Sequence, residues 1–216
     1  MIRQFGLNEV IAILSGIQST IILSLVAFAG GGIVGLVIAL VRTSEVRALQ
    51  RFAGAYIDFF QGTPLLMQLF LVFYGLPVFG FHVNAWVAVT IGLTLHASAF
   101  LGEIWRGGIQ AVPRGQTEAA RALGLRYRAR MVSVVLPQAI RLSVAPTVGF
   151  MVQLIKGTSL AAIIGFVELS RSAQIVASTT YKPLIAYGLA AIFYFVLCFP
   201  LSRVSAGLER RFAVKT

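Results

Sequence analysis

Seven polar side chains stand inside long apolar runs of this sequence: Thr63, Gln68, His96, Gln153, Lys156, Thr158 and Ser159. Gln68 and Gln153 each carry both donor and acceptor groups, Lys156 can meet a carboxylate, and His96 can donate or accept. Such a set suits holding a small polar solute, because a zwitterion needs donors for its carboxylate and acceptors for its ammonium. Plainer readings exist beside this one. Lys156 can snorkel to a membrane interface, and His96 can bond a neighbouring carbonyl. Nothing in the chain assembles into catalysis. There is no GxxxxGK[ST] phosphate loop, no Ser-His-Asp set and no metal-ligand spacing, and the only histidines are His82 and His96. The single cysteine, Cys198, permits no internal disulfide and no Cys-based metal cluster. The expectation is a chain that is not an enzyme and carries no cofactor or metal of its own.

The surroundings of these residues decide what they are for. Of 216 residues, 58% are apolar and only 12% charged, about half the charged share of an ordinary soluble domain. Between Glu9 and Arg42 no residue is charged, and roughly 20 apolar residues suffice to cross a bilayer. Five helical spans are expected, an all-α membrane protein: Gln18 to Val41, about Phe59 to Phe79, about Trp86 to Ile104, about Leu142 to Ile164, and about Leu184 to Leu201. Short alternating strands of the barrel type are not visible. Arg3 and Glu9 before a long apolar run speak against a signal peptide.

A net charge of +11 would suggest nucleic acid in a soluble protein; here the charges are sorted by loop, and no nucleic acid is expected. After the first span Arg42, Arg47 and Arg51 oppose Glu45. After the third, Arg106, Arg114, Arg121, Arg126, Arg128 and Arg130 oppose Glu118. The C-terminal tail has Arg203, Arg210, Arg211 and Lys215 against Glu209. The alternate loops are poor in charge. This alternation predicts an N-terminus outside and a C-terminus inside. Asp58 and Glu103, near span ends, are expected to pair with Arg51 or Arg106. Gly31, Gly35 and Ala39 form a small-xxx-small stripe, suited to packing within the subunit or to a dimer contact. Gly62 and Pro64 interrupt the second span, freeing carbonyls toward a path or merely kinking the helix. Residues 166–183 read as an amphipathic outer helix that covers the bundle or docks a partner.

The loop from Ala111 to Ala139 carries the densest signal. Thr117 is expected to cap a short helix through Glu118, Ala119 and Ala120, Gly124 to end it in a left-handed turn, and Pro137 to bend the chain back to the membrane. Glu118-Ala119-Ala120, Gly124, Val134 and Leu136-Pro137 match the EAA-x3-G-x9-I-x-LP pattern, with Val134 in place of Ile. The chain thereby resembles binding-protein-dependent ABC importer permeases. Gly62-Thr63-Pro64-Leu65-Leu66, Glu103 to Ile109, and Lys156-Gly157-Thr158-Ser159-Leu160-Ala161 look like the polar amino acid branch of that family, which includes histidine, glutamine, arginine, glutamate and cystine permeases. Two positions depart from it: Gln61, where many relatives have Arg, and Gly157, where many have an acidic residue.

The resemblance implies a type I ABC importer transmembrane domain over 17–205, a periplasmic segment over 1–16, a coupling loop at about 111–139, and a cytoplasmic tail over 206–216. It implies that Glu118, Ala119, Ala120, Gly124 and Pro137 couple the chain to an ABC ATPase dimer that binds ATP and Mg. It further implies a second permease subunit (the same chain or a paralogue), a periplasmic amino-acid-binding protein, and residence among the lipids of the bacterial inner membrane. The permease would move a polar amino acid by alternating access. A channel or secondary transporter subunit for a small polar solute is the alternative, although it would have no use for a fixed-spacing loop helix.

Overall fold

The computed structural model describes residues 4–44 and 46–212, so Arg3, Glu45 and Lys215, used above in reading charge, lie outside the described residues. Those residues form helices only. Helix α1 (Leu7–Arg42) starts where Glu9 reaches back to the backbone N–H of Gly6, at 2.9 Å, a charge-assisted cap at the positive end of the helix. It continues from residues 7–16 without interruption into the expected first span. α2 (Arg47–Gly62) and α3 (Leu65–Phe70) follow; a wide turn at Leu71–Gly75 leads into α4 (Leu76–Val78). α5 is Ala85–Gln110 and α6 Arg114–Ala122. α7 (Tyr127–Arg130) passes through a second wide turn, Met131–Val135, into α8 (Leu136–Gly157), and a 3-10 segment continues over Thr158–Ile164. α9 (Leu169–Thr180) and α10 (Pro183–Phe212) complete the bundle.

Among the described residues four helical stretches are long and apolar enough to cross a membrane: Leu7–Arg42, Ala85–Gln110, Tyr127–Ile164 and Pro183–Phe212. The fifth expected span takes a different form. In place of one helix from Phe59 to Phe79, the chain turns by 106° between Arg47–Gly62 and Leu65–Val78. Thr63 and Pro64 are extended at the break. Pro64 cannot donate and pushes Thr63 out of the helical region, so Phe59 and Phe60 belong to the preceding helix.

Both wide turns stand immediately before a Leu-Pro pair, Leu76-Pro77 and Leu136-Pro137. A proline leaves a carbonyl of the preceding turn without its donor, and loosening that turn accommodates the ring. At the second of them Gln138 donates its side-chain amide to Val134 O, at 2.8 Å.

The small-residue stripe on α1 packs against α5 inside the subunit. A Cβ placed on Gly31 would stand 2.5 Å from the Cβ of Ala97, and one on Gly35 would stand 2.9 Å from Ser98 O and 3.1 Å from Gly102 N. Close backbone approach of this kind is what lets apolar helices associate in lipid. The main core joins Leu23 and Ala27 of α1, Leu69 of α3, Leu93 and Leu101 of α5, and Phe150 and Leu154 of α8. α9 buries Leu169, Ala173, Val176 and Ala177 against α1 and α10, so the segment over 166–183 covers the bundle. Its entry is held by Glu168, fully buried, which accepts from the backbone N–H groups of Ser170 and Arg171 and from the Tyr194 hydroxyl at 2.7 Å. Glu103 pairs with Arg106, while Asp58 is exposed and without an ion pair among the described residues.

Candidate functional site

Two regions carry the sequence candidates. The first is a cavity of about 670 Å³ between α3, α5 and α8, within the range of small-molecule sites. His96, Gln153, Lys156 and Ser159 line it; its apolar walls include Leu65, Phe100 and Phe150. Pro146 sits inside α8 on the same wall. A smaller cavity of about 320 Å³ shares Lys156 and Ser159 and is otherwise lined by Ser170, Tyr187, Tyr194 and two alanines. Lys156 thus stands where the two spaces meet, with no salt bridge among the described residues.

The remaining candidates lie beside the cavity, outside its lining. Gln68 is 3% exposed. The two hydrogens of its Nε2 are shared among Phe60 O at 2.8 Å, Thr63 O at 3.0 Å and Thr63 Oγ1 at 2.9 Å. The two carbonyls freed by the break are therefore satisfied from within the chain. Thr63 in turn donates to Phe59 O. Thr158 is fully buried and donates to Ile155 O at 2.7 Å.

The Gln68 amide also orients His96. With three oxygens around its Nε2, the amide cannot be flipped, so Oε1 faces His96 Nδ1 at 3.0 Å. An acceptor oxygen there requires Nδ1 to carry a proton, so in the neutral imidazole Nε2 is the acceptor. Phe100, with its ring 4.5 Å from the imidazole, and Phe150, stacked on Phe100 at 5.3 Å, hold the ring on the cavity wall. No short sequence motif signals this arrangement, because it joins residues 60, 63, 68 and 96.

The second region is the loop helix α6. It begins at Arg114 after Pro113, three residues before Thr117, which lies within the helix and does not cap it. Gly115 in the first turn is tolerated there, since first-turn N–H groups have no helical partner. Its far end is a Schellman cap: Leu125 N donates to Ala120 O at 3.1 Å and Gly124 N to Arg121 O at 2.9 Å, with Gly124 at φ +73°. Glu118 and Ala119 are exposed while Ala120 is buried, so α6 presents a slim polar face to its surroundings. Pro137 opens α8 just beyond the wide turn that leads away from this helix.

A bundle of helices long and apolar enough to cross a membrane, with a mostly apolar cavity that holds a few polar side chains and with a capped loop helix, fits a transport subunit. Residues 31–214 match the family described as binding-protein-dependent transport system inner membrane component, and the chain belongs to that family. It is accordingly a multi-pass inner-membrane protein and a permease subunit of an ABC transporter.

Among its relatives is the L-cystine transport system permease protein of Bacillus subtilis (strain 168), 41% identical over 91% of this chain and 84% of that protein. Another is the probable glutamine ABC transporter permease protein of the same organism, 35% identical over 92% of each. A crystal structure of an amino acid ABC transporter with histidines superposes with a TM-score of 0.88 at 37% identity, over 93% of this chain and 94% of the other. An inward-facing methionine ABC transporter, 19% identical with a TM-score of 0.68 over 97% and 95%, shares the fold.

Proposed function

We propose that this chain passes a polar amino acid from a periplasmic binding protein across the inner membrane by alternating access, driven by ATP hydrolysis on a separate ABC ATPase dimer that seats against the loop at 111–139. The observation that carries the reading is the pairing of two features on one chain. One is a cavity that sets Lys156 and His96 in the same mostly apolar space. The other is a helix with exposed Glu118 and Ala119 closed by the left-handed Gly124. The names of the cystine and glutamine permeases support the cargo class.

In this reading the N-terminus is outside, the C-terminus and the loop helix are inside, and a second permease subunit completes the path. The charge alternation supports that orientation. Lys156 meets the substrate carboxylate, while His96, Gln153 and Ser159 supply the other polar contacts. Gln68, Thr63 and Thr158 hold the wall behind them. Glu118, Ala119, Ala120, Gly124 and Pro137 form the ATPase contact and its support.

The test is purification of the chain with its partners. An ATPase subunit should co-purify, and amino-acid-loaded binding protein should stimulate ATP hydrolysis by the complex. A chain that inserts yet associates with no ATPase would overturn the reading.

A further inference from the structure

The charges around the cavity restrict the cargo further, on the footing that this cavity is where the amino acid passes. Among the described residues its lining holds one fixed cation, Lys156, and no carboxylate. Of the seven acidic residues in the chain, the six described ones all lie elsewhere. Glu168 is held by Ser170 N, Arg171 N and the Tyr194 hydroxyl. Glu103 is held by Arg106, and Glu9 caps α1. Asp58, Glu118 and Glu209 are exposed outside the lining. The adjoining cavity that shares Lys156 has no carboxylate in its lining either. His96 directs Nδ1–H toward Gln68, so the neutral ring offers Nε2 as an acceptor. Gly157, which also lines the cavity, contributes no side chain.

We infer that the cavity selects amino acids whose side chains are neutral or anionic and rejects cationic ones. The substrate α-carboxylate takes Lys156, and the α-ammonium takes His96 Nε2. A neutral or acidic side chain then completes the set, an acid sharing Lys156. A guanidinium or second ammonium would leave water for a largely apolar wall with a like charge nearby and no counter-ion, which is unfavourable on both counts.

Gly157 gives a direct handle. It lies in the right-handed helical region, at φ −62° and ψ −27°, so a side chain is sterically allowed. A Cβ there would meet only the Leu65 Cδ2, at 3.1 Å, the mobile end of another cavity-lining side chain. Gly157→Asp therefore adds a carboxylate to the lining while leaving His96 and Lys156 unsubstituted.

The experiment measures binding of glutamine, glutamate, arginine and lysine to the purified complex in detergent, without binding protein, beside ATP-driven uptake with it. Glutamine and glutamate should bind at least tenfold tighter than arginine and lysine. Gly157→Asp should shift that ratio toward arginine by tenfold or more, while Gly157→Asn, of nearly equal size, should leave it in place. Arginine bound by the wild type as tightly as glutamine overturns the inference. So does an unchanged ratio in a Gly157→Asp complex of normal thermal midpoint. If no amino acid is bound or taken up, the transport reading itself fails.

Discussion

Gln68 accepts a hydrogen bond from His96 at 3.0 Å with the same amide that donates to Phe60 O and Thr63 O across the break in the second span. One buried side chain thus closes the backbone of a bent span and sets the proton position of a cavity histidine. The bend and the site are consequently linked, and disturbing one disturbs the other.

Gln68→Leu keeps the volume and removes every one of these bonds. Two carbonyls and an imidazole N–H are left unpaired, at about 1–3 kcal/mol for each buried group. The thermal midpoint of the purified complex should fall by several degrees and amino acid affinity should fall with it. An unchanged midpoint would show that the break is held by other means.

Lys156→Gln retains size and hydrogen bonding while removing the charge. Losing a charge-assisted bond to a carboxylate costs about 1.5–3 kcal/mol, so the KM for uptake should rise roughly 10- to 100-fold, with assembly and thermal midpoint unaltered. Normal kinetics would assign Lys156 to the membrane interface instead.

Gly31→Ala tests the α1–α5 seam. Its new methyl meets Ala97 and the backbone at Ser98 N, whereas Gly32→Ala meets only the far edge of Trp105 at 3.6 Å. Overpacking of this kind costs about 1–3 kcal/mol. Gly31→Ala should lower the midpoint and Gly32→Ala should not; equal behaviour of the two would place the seam elsewhere.

Gly124→Asp leaves the spans untouched and adds a side chain at φ +73°, where Gly is favoured and Asn is tolerated. The protein should insert and bind its partners' substrate normally while ATP-driven uptake falls at least tenfold, and Gly124→Asn should retain most of it. Full uptake by Gly124→Asp would remove the coupling role from this turn.

The long apolar runs and the EAA spacing were legible in the sequence because both are local. A run free of charge from Glu9 to Arg42 can only cross the membrane, and the Gly124 cap follows from one residue type. The second span was misread because Phe59, Phe60, Leu65 and Leu66 look continuous in hydropathy, whereas the chain turns sharply at Thr63-Pro64. Thr117 was assigned a cap that the chain does not use, since Pro113 already sets the turn before α6. The split of the polar candidates, His96, Gln153, Lys156 and Ser159 lining the cavity and Thr63, Gln68 and Thr158 bracing it, depends on which helices meet. No window of sequence contains that information.

The most direct test of the account is accumulation of a labelled amino acid in proteoliposomes holding the purified complex, with ATP supplied on the side of α6 and binding protein on the other. The account predicts uptake against a gradient that requires both additions and stops in Gly124→Asp. Flux that proceeds without ATP and only down the gradient would contradict it, and would make the chain part of a channel or secondary transporter.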